Sequence, residues 1–193
     1  MQISAVTKEI NEWSGSVLIA GILEGTIESQ INLFKTIIKD TFLNQRFIDS
    51  KFEGKKGQKL SIELIEGKIK KVIFVGLGKA ETLRIDDLRK AASIGTRQVS
   101  NYERKIGIFF PWDAFDPSSA ACAVGEAVRL SSIKDFRFKS ESKEPTPIDE
   151  VDLIGLDTKT TKSAIDEINP ICEGVKFARE LVSAPPNFLT PSQ

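Results

Sequence analysis

At 193 residues, 40% of them hydrophobic and 28% charged, the chain is long enough for one sizeable globular core, with two small ones the alternative. Its 27 basic side chains are balanced by 27 acidic ones, which excludes a global field drawing it to nucleic acid or an anionic membrane; no apolar run approaches the roughly 20 residues of a membrane span. Histidine is absent and only two cysteines occur, so Ser-His-Asp and Cys-His nucleophiles are excluded together with histidine and thiolate zinc sites, leaving carboxylates, lysine or carboxylate-bound metal.

In chain order, Ile3 to Val6 reads as a short strand. Val17 to Leu23 is a longer apolar run, as in a strand covered on both faces, with Trp13 and Gly15 in the turn between. Ile27, Ile31, Phe34, Ile37 and Ile38 form one helical stripe closing near Asp40 to Leu43. Leu60 to Leu64 alternates as a half-exposed strand does, and after the turn at Glu66-Gly67-Lys68 the run Val72 to Val75 is a buried strand, so the two predict a hairpin in a mixed sheet. Gly76-Leu77-Gly78-Lys79 is expected to leave that strand as a loop, before Asp86-Asp87-Leu88 opens a helix that turns Leu88, Ala91, Ala92, Gly95 and Val99 inward.

Ile106 to Phe110 is a further buried strand ended by Pro111. Asp116-Pro117 starts a helix with aspartate at the cap and proline in the first turn, and Ala120, Ala121, Val124, Gly125 and Val128 give it small-residue faces for close packing. Residues 136–150 read as an exposed charged loop, and Val151 to Leu156 as the last strand. From about Thr160 the chain is expected to be helical to Ala184, kinked or split at Pro170, with Ile168, Ile171, Val175, Ala178 and Val182 along one apolar face. Alternating strands and helices predict an α/β domain whose mixed, mostly parallel sheet is flanked by helices on both faces. Cys122 and Cys172, both in helices among apolar or small neighbours, are read as buried free thiols.

Candidate sites are few. Gly76, Gly78 and Lys79 form the best phosphate-cradling candidate, because glycines between strand and helix let amides approach an anion; a tight turn needs the same glycines. The Walker and dinucleotide patterns both fail there, with Ala80 after Lys79 and Glu81 at the third glycine position. Lys55, Lys56, Lys59, Lys68, Lys70 and Lys71 crowd the hairpin, as a phosphate-binding or DNA-binding surface would; an edge strand guarded by lysine shows the same pattern and is favoured. Two carboxylate clusters occur, Asp86-Asp87 and Asp149-Glu150-Asp152, neither set among apolar residues that would raise a pKa.

The segment from Glu173 to Pro191 closely resembles the passage that links the two domains of the leucyl aminopeptidase family, in which a helix with Ala-Arg and Leu-Val precedes a Pro-Pro-Asn turn and Leu-Thr-Pro. Phe52 to Gln58, Val75 to Lys79 and Phe136 to Ser140 are similar to looser features of that family's N-terminal domain. The resemblance implies a macro-domain-like N-terminal α/β domain over residues 1–184, and residues 185–193, with Pro185, Pro186 and Asn187, as the start of a connection to a missing C-terminal catalytic domain. It further implies a cytoplasmic, hexameric hydrolase that releases N-terminal amino acids from peptides with two divalent metals, manganese or zinc. The family's metal ligands and its catalytic lysine and arginine lie in the catalytic domain, which includes an Asn-Thr-Asp-Ala-Glu-Gly-Arg run that this chain lacks, so the chain alone is expected to be inactive, without metal, and to serve assembly and active-site access. The alternatives are a nucleotide- or ADP-ribose-binding module using Gly76 to Lys79, and a DNA-binding module using the lysine-rich hairpin.

Overall fold

The computed structural model describes residues 1–35, 37–38, 42–99, 103–133, 137 and 147–185. Six strands, β1 (Gln2–Val6), β2 (Val17–Leu23), β3 (Lys59–Glu63), β4 (Lys71–Gly78), β5 (Lys105–Phe109) and β6 (Glu150–Ile154), form one sheet in the order β1-β6-β5-β2-β4-β3. All neighbours run parallel except β3, which pairs antiparallel with β4 at one edge. The predicted hairpin and mixed sheet are therefore both present.

The period of two along each strand divides the core. Val17 and Ile19 of β2, with Ile73, Val75 and Leu77 of β4, face α3 (Ile85–Arg97) and α4 (Pro117–Ser132). Leu18, Ala20 and Ile22, with Val72 and Phe74, face α1 (Ile27–Lys35) and α2 (Leu43–Asp49). Helices thus cover both faces, which is why the central strands read as unbroken apolar runs. Phe74 anchors the second face: Phe34 and Phe47 meet it edge-on at centroid distances of 5.1 and 4.9 Å, and Phe52 meets Phe47 at 5.3 Å. Such aromatic contacts contribute roughly 0.5–1.5 kcal/mol each beyond area burial.

Asp116 caps α4 as its sequence predicts, its carboxylate accepting from the Ser119 amide at 2.8 Å. The small-residue faces of α4 are buried, and at Gly125 a side chain would collide with Ile168 of α5 (Thr158–Ser183), so these two helices approach as closely as glycine permits. Asp157 caps α5 through the Thr160 amide at 2.7 Å.

The structure departs from the sequence reading at four places. The helical stripe predicted from Ile27 stops at Lys35, and a second helix, α2, follows it. Strand β4 continues through Gly78, where an open loop is expected. Helix α5 is continuous through Pro170 rather than split; Asp166, whose carbonyl loses its partner to the proline, is exposed and open to water. Of the predicted apolar row of α5 only Ile168 is buried: Val175 is half-buried and Ile171, Ala178 and Val182 are exposed, as are Phe177 and Leu181, while Cys172 is buried beside Ile168.

Candidate functional site

The stretches 52–58 and 75–79, far apart in sequence, meet at the carboxyl end of β4. The Gly76 amide donates to the Gln58 carbonyl and the Gly78 amide to the Gly54 carbonyl, each at 2.8 Å, while the Gly57 amide donates to the Gly76 carbonyl at 3.3 Å. Gln58 ties the turn from within. Its Oε1 accepts from the amides of Glu53 and Lys55 at 2.9 and 3.0 Å, and its Nε2 donates to the Lys51 carbonyl at 3.2 Å. At Gly76 a Cβ would run into the Lys55 carbonyl and the Gly54 backbone, so only glycine lets the two backbones pass. The amides of Gly76 and Gly78 are accordingly engaged within the sheet and its extension, and Lys79 stands exposed just beyond it.

The cation placed over these glycines is Lys56. Its stem lies across Gly78, and its Nζ reaches Asp87 Oδ2 at 2.7 Å. Asp87 also receives the Arg84 amide at 2.9 Å while donating its own amide to the Arg84 carbonyl at 2.9 Å, which closes the first turn of α3. Burial pushes the Asp87 carboxyl up, but the Lys56 and Arg84 hydrogen bonds and the charges of Lys56 and Lys90 outweigh it, leaving the pKa below the usual carboxylate value. A carboxylate depressed on folding stabilises the fold at pH values above its unfolded pKa of about 3.9, and this contribution disappears as pH falls through the folded value. Asp87→Asn is expected to lower stability by about 2 kcal/mol at pH 7, as for loss of a charged hydrogen bond, with the difference from the parent shrinking below about pH 4. Urea unfolding followed from pH 7 to acid checks this; a difference that does not change with pH would refute it.

The remaining carboxylates of the two clusters are each met by a local cation. Asp86 pairs with Arg89 at 2.8 Å, Asp149 with Arg104 at 2.6 Å and Glu150 with Lys105 at 2.9 Å. Asp152 accepts the Trp13 indole N–H at 2.9 Å, with Lys105 Nζ at 3.2 Å. Among the described residues no three His, Cys, Asp or Glu side chains come together as metal ligands, and no helix is long and apolar enough to cross a membrane. Of the hairpin lysines, Lys55 pairs with Glu53, Lys56 with Asp87, and Lys71 donates to the Gln98 carbonyl at 3.0 Å; Lys59 opens the exposed edge strand β3. Both cysteines are free. Burial, then the neighbouring Glu126 carboxylate, pushes the Cys122 thiol up to about 11, so it stays protonated at neutral pH.

Two further features were not placed by the sequence. A cleft of about 600 Å³ runs along α3, reaching from Lys56 and Gly76 to Leu130 of α4 and Arg179 of α5. Beyond Cys172, α5 carries Phe177 and Val182 at 63% and 88% exposure. Pro185 follows the end of this helix; Pro186 and Asn187, like Phe188 and Leu189, lie outside the described residues, as does most of the 136–140 passage. Within that passage Arg137 donates to the Glu180 carbonyl at 3.1 Å.

Comparisons with known proteins agree with this fold. Residues 32–142 match the profile of the cytosol aminopeptidase family, N-terminal domain. A probable cytosol aminopeptidase of Prochlorococcus marinus (strain MIT 9211) is 47% identical over 192 residues, covering 100% of this chain and 39% of the relative. One from Synechococcus sp. (strain CC9311) is 37% identical over 195 residues, covering 100% of this chain and 38% of the relative. The chain therefore spans about two fifths of the length of these curated relatives. A mutant tomato leucine aminopeptidase superposes with a TM-score of 0.82 at 25% identity, over 100% of this chain and 40% of that one. The bottromycin maturation enzyme BotP, in complex with Mn, superposes with a TM-score of 0.65 at 23% identity over 92% of this chain and 34% of that one, a likeness of fold.

Proposed function

Because this chain belongs to the cytosol aminopeptidase family, whose N-terminal domain it carries, we propose that residues 1–184 serve as a docking and assembly domain and that residues 185–193 begin the connection to a C-terminal catalytic domain. The whole protein would be a cytoplasmic aminopeptidase that hydrolyses the first peptide bond of its substrates with two divalent metals, manganese or zinc, assembled as a hexamer. The described residues of this chain do not form a donor set for such metals, so no step of the hydrolysis is assigned to them. Their part is to position the catalytic domain and shape access to it.

The observation that carries this reading is the outer half of α5. Ile171, Phe177, Leu181 and Val182 expose apolar surface on a helix whose first half is packed against α4 and β1. A lone exposed apolar residue is ordinary, but a run along one helix that leads to the domain connection suits a surface covered in the longer protein. Two measurements test it. The purified chain with a chromogenic leucine substrate and manganese is expected to give no turnover. Phe177→Gln with Val182→Gln is expected to change the chain's own stability by no more than about 0.5 kcal/mol, as surface substitutions do. In a protein that also carries the catalytic domain, the same pair is expected to lower stability and peptidase activity together. Metal-dependent turnover by the chain alone, or no effect of the pair in the longer protein, would overturn the reading.

A further inference from the structure

We propose that the cleft along α3 binds a multiply charged phosphate compound, held by Lys90, Arg97 and Arg179. The cleft is lined by five cations, Lys56, Arg89, Lys90, Arg97 and Arg179, against two carboxylates, Asp87 and Glu126, a surplus of three positive charges in a protein whose net charge is zero. Both carboxylates are already occupied: Asp87 by Lys56 at 2.7 Å and Glu126 by Arg89 at 3.4 Å. The surplus therefore rests on the other three. Arg179 Nη1 donates to the neutral Leu130 carbonyl at 3.1 Å, and the side chains of Lys90 and Arg97 make no hydrogen bond or ion pair among the described residues. None of the three is held in an ion pair among the described residues, although the charge of Lys90 is felt by Asp87.

The spacing of these groups selects the ligand. Lys90 and Arg97 are seven residues apart on α3, two turns along one face and about 10 Å along the axis. Ile94 lies between them on the same stripe, and Ala91 beside it with Leu130 and Ala127 of α4 complete an apolar wall. A single small anion cannot reach both ends of that row, whereas an extended polyphosphate can. Guanidinium forks match phosphate oxygens in pairs, and the hydroxyls of Ser93 and Ser131 add donors along the wall. A volume of about 600 Å³ lies within the range of small-ligand sites, enough for a triphosphate with or without a nucleoside. The apolar wall suits a base, so a free polyphosphate and a nucleoside polyphosphate share the same anchoring chemistry and differ in what touches Ile94 and Leu130.

Calorimetry of the 193-residue chain at low ionic strength, with tripolyphosphate and with ATP as probes, tests this. Saturable binding of either is expected, weakened at least tenfold in Lys90→Ala/Arg97→Ala. Equal affinities identify the polyphosphate as the recognised group, and tighter binding of ATP identifies the nucleotide. Lys90 and Arg97 are exposed and make no hydrogen bond or ion pair among the described residues, so the variant should stay within about 0.5 kcal/mol of the parent's stability, which is measured alongside. Absence of heat with both probes, equal binding by the variant, or binding of sulfate or polyglutamate as tight as tripolyphosphate would each overturn the proposal.

Discussion

Gly76→Ala is expected to destabilise the domain by about 3 kcal/mol, the upper part of the range for forcing extra volume into a packed interior. The added methyl would meet the Lys55 carbonyl and the Gly54 backbone, main-chain atoms with no rotamer to escape into. Neither side can retreat. Strand β4 is paired with β2 from Lys71 to Gly78 and with β3 from Lys71 to Val75, and the 54–58 turn that continues that edge is fixed by the Gln58 side chain and by two amides of β4. Shifting the turn would also withdraw Lys56 from Asp87, so the loss extends to the first turn of α3. For a chain of this length the change corresponds to a fall in Tm of roughly 6–12 °C. Gly174→Ala is the control with the opposite sign: it lies exposed in α5 with open space around its Cβ, and the substitution should add about 0.5–1 kcal/mol through helix propensity. Thermal and urea unfolding of the two variants check both; a Gly76→Ala protein as stable as the parent would show that the turn is free to move.

The same site shows what the sequence could and could not disclose. The buried strands were legible because a sheet covered on both faces makes β2 and β4 apolar at every position, and the cap of α4 was legible because Asp116-Pro117 encodes it locally. Gly76 and Gly78 were misread as a loop because their hydrogen-bond partners lie some twenty residues upstream, a long-range pairing that no local pattern marks. Helix α2 escaped notice because only Leu43 and Phe47 of its seven residues are buried, a single i, i+4 pair that gives no periodicity to count. On α5 the sequence did reveal an apolar row, but not what would cover it: Ile168 and Cys172 meet α4, whereas Phe177 and Val182 face outward from this chain. The cleft is least legible of all, since its cations come from a turn, from two turns of α3 and from the far end of α5.

Asp152→Ala is expected to cost about 3 kcal/mol, because it strips two donors of one buried acceptor. Asp152 sits on β6 and is 9% exposed; its Oδ2 receives the Trp13 indole N–H at 2.9 Å from a residue 139 positions earlier and lies 3.2 Å from Lys105 Nζ on β5. The bond therefore pins the segment leading into β2 to β6, two strands away in the sheet. An indole N–H left buried without an acceptor costs about 1–3 kcal/mol, and a bond to a charged partner falls at the upper end. Lys105 loses less, because Glu150 still holds it at 2.9 Å and supplies the first cause of its raised pKa, with Asp152 adding to it against the effect of burial. Its contribution is fully present at neutral pH, below the unfolded lysine pKa of about 10.4, and disappears as pH rises through the higher folded value; removing Asp152 therefore takes away the share that rests on Asp152 and leaves the share that rests on Glu150. Asp152→Asn keeps an oxygen for the indole and should lose about 1 kcal/mol less than Asp152→Ala. Trp13→Phe removes the donor instead. A double-mutant cycle of Asp152→Ala with Trp13→Phe, read by urea unfolding at pH 7, should return a coupling of about 1–2 kcal/mol. A coupling near zero would mean that the indole–carboxylate bond adds nothing to the pairing of β2 and β6 through β5.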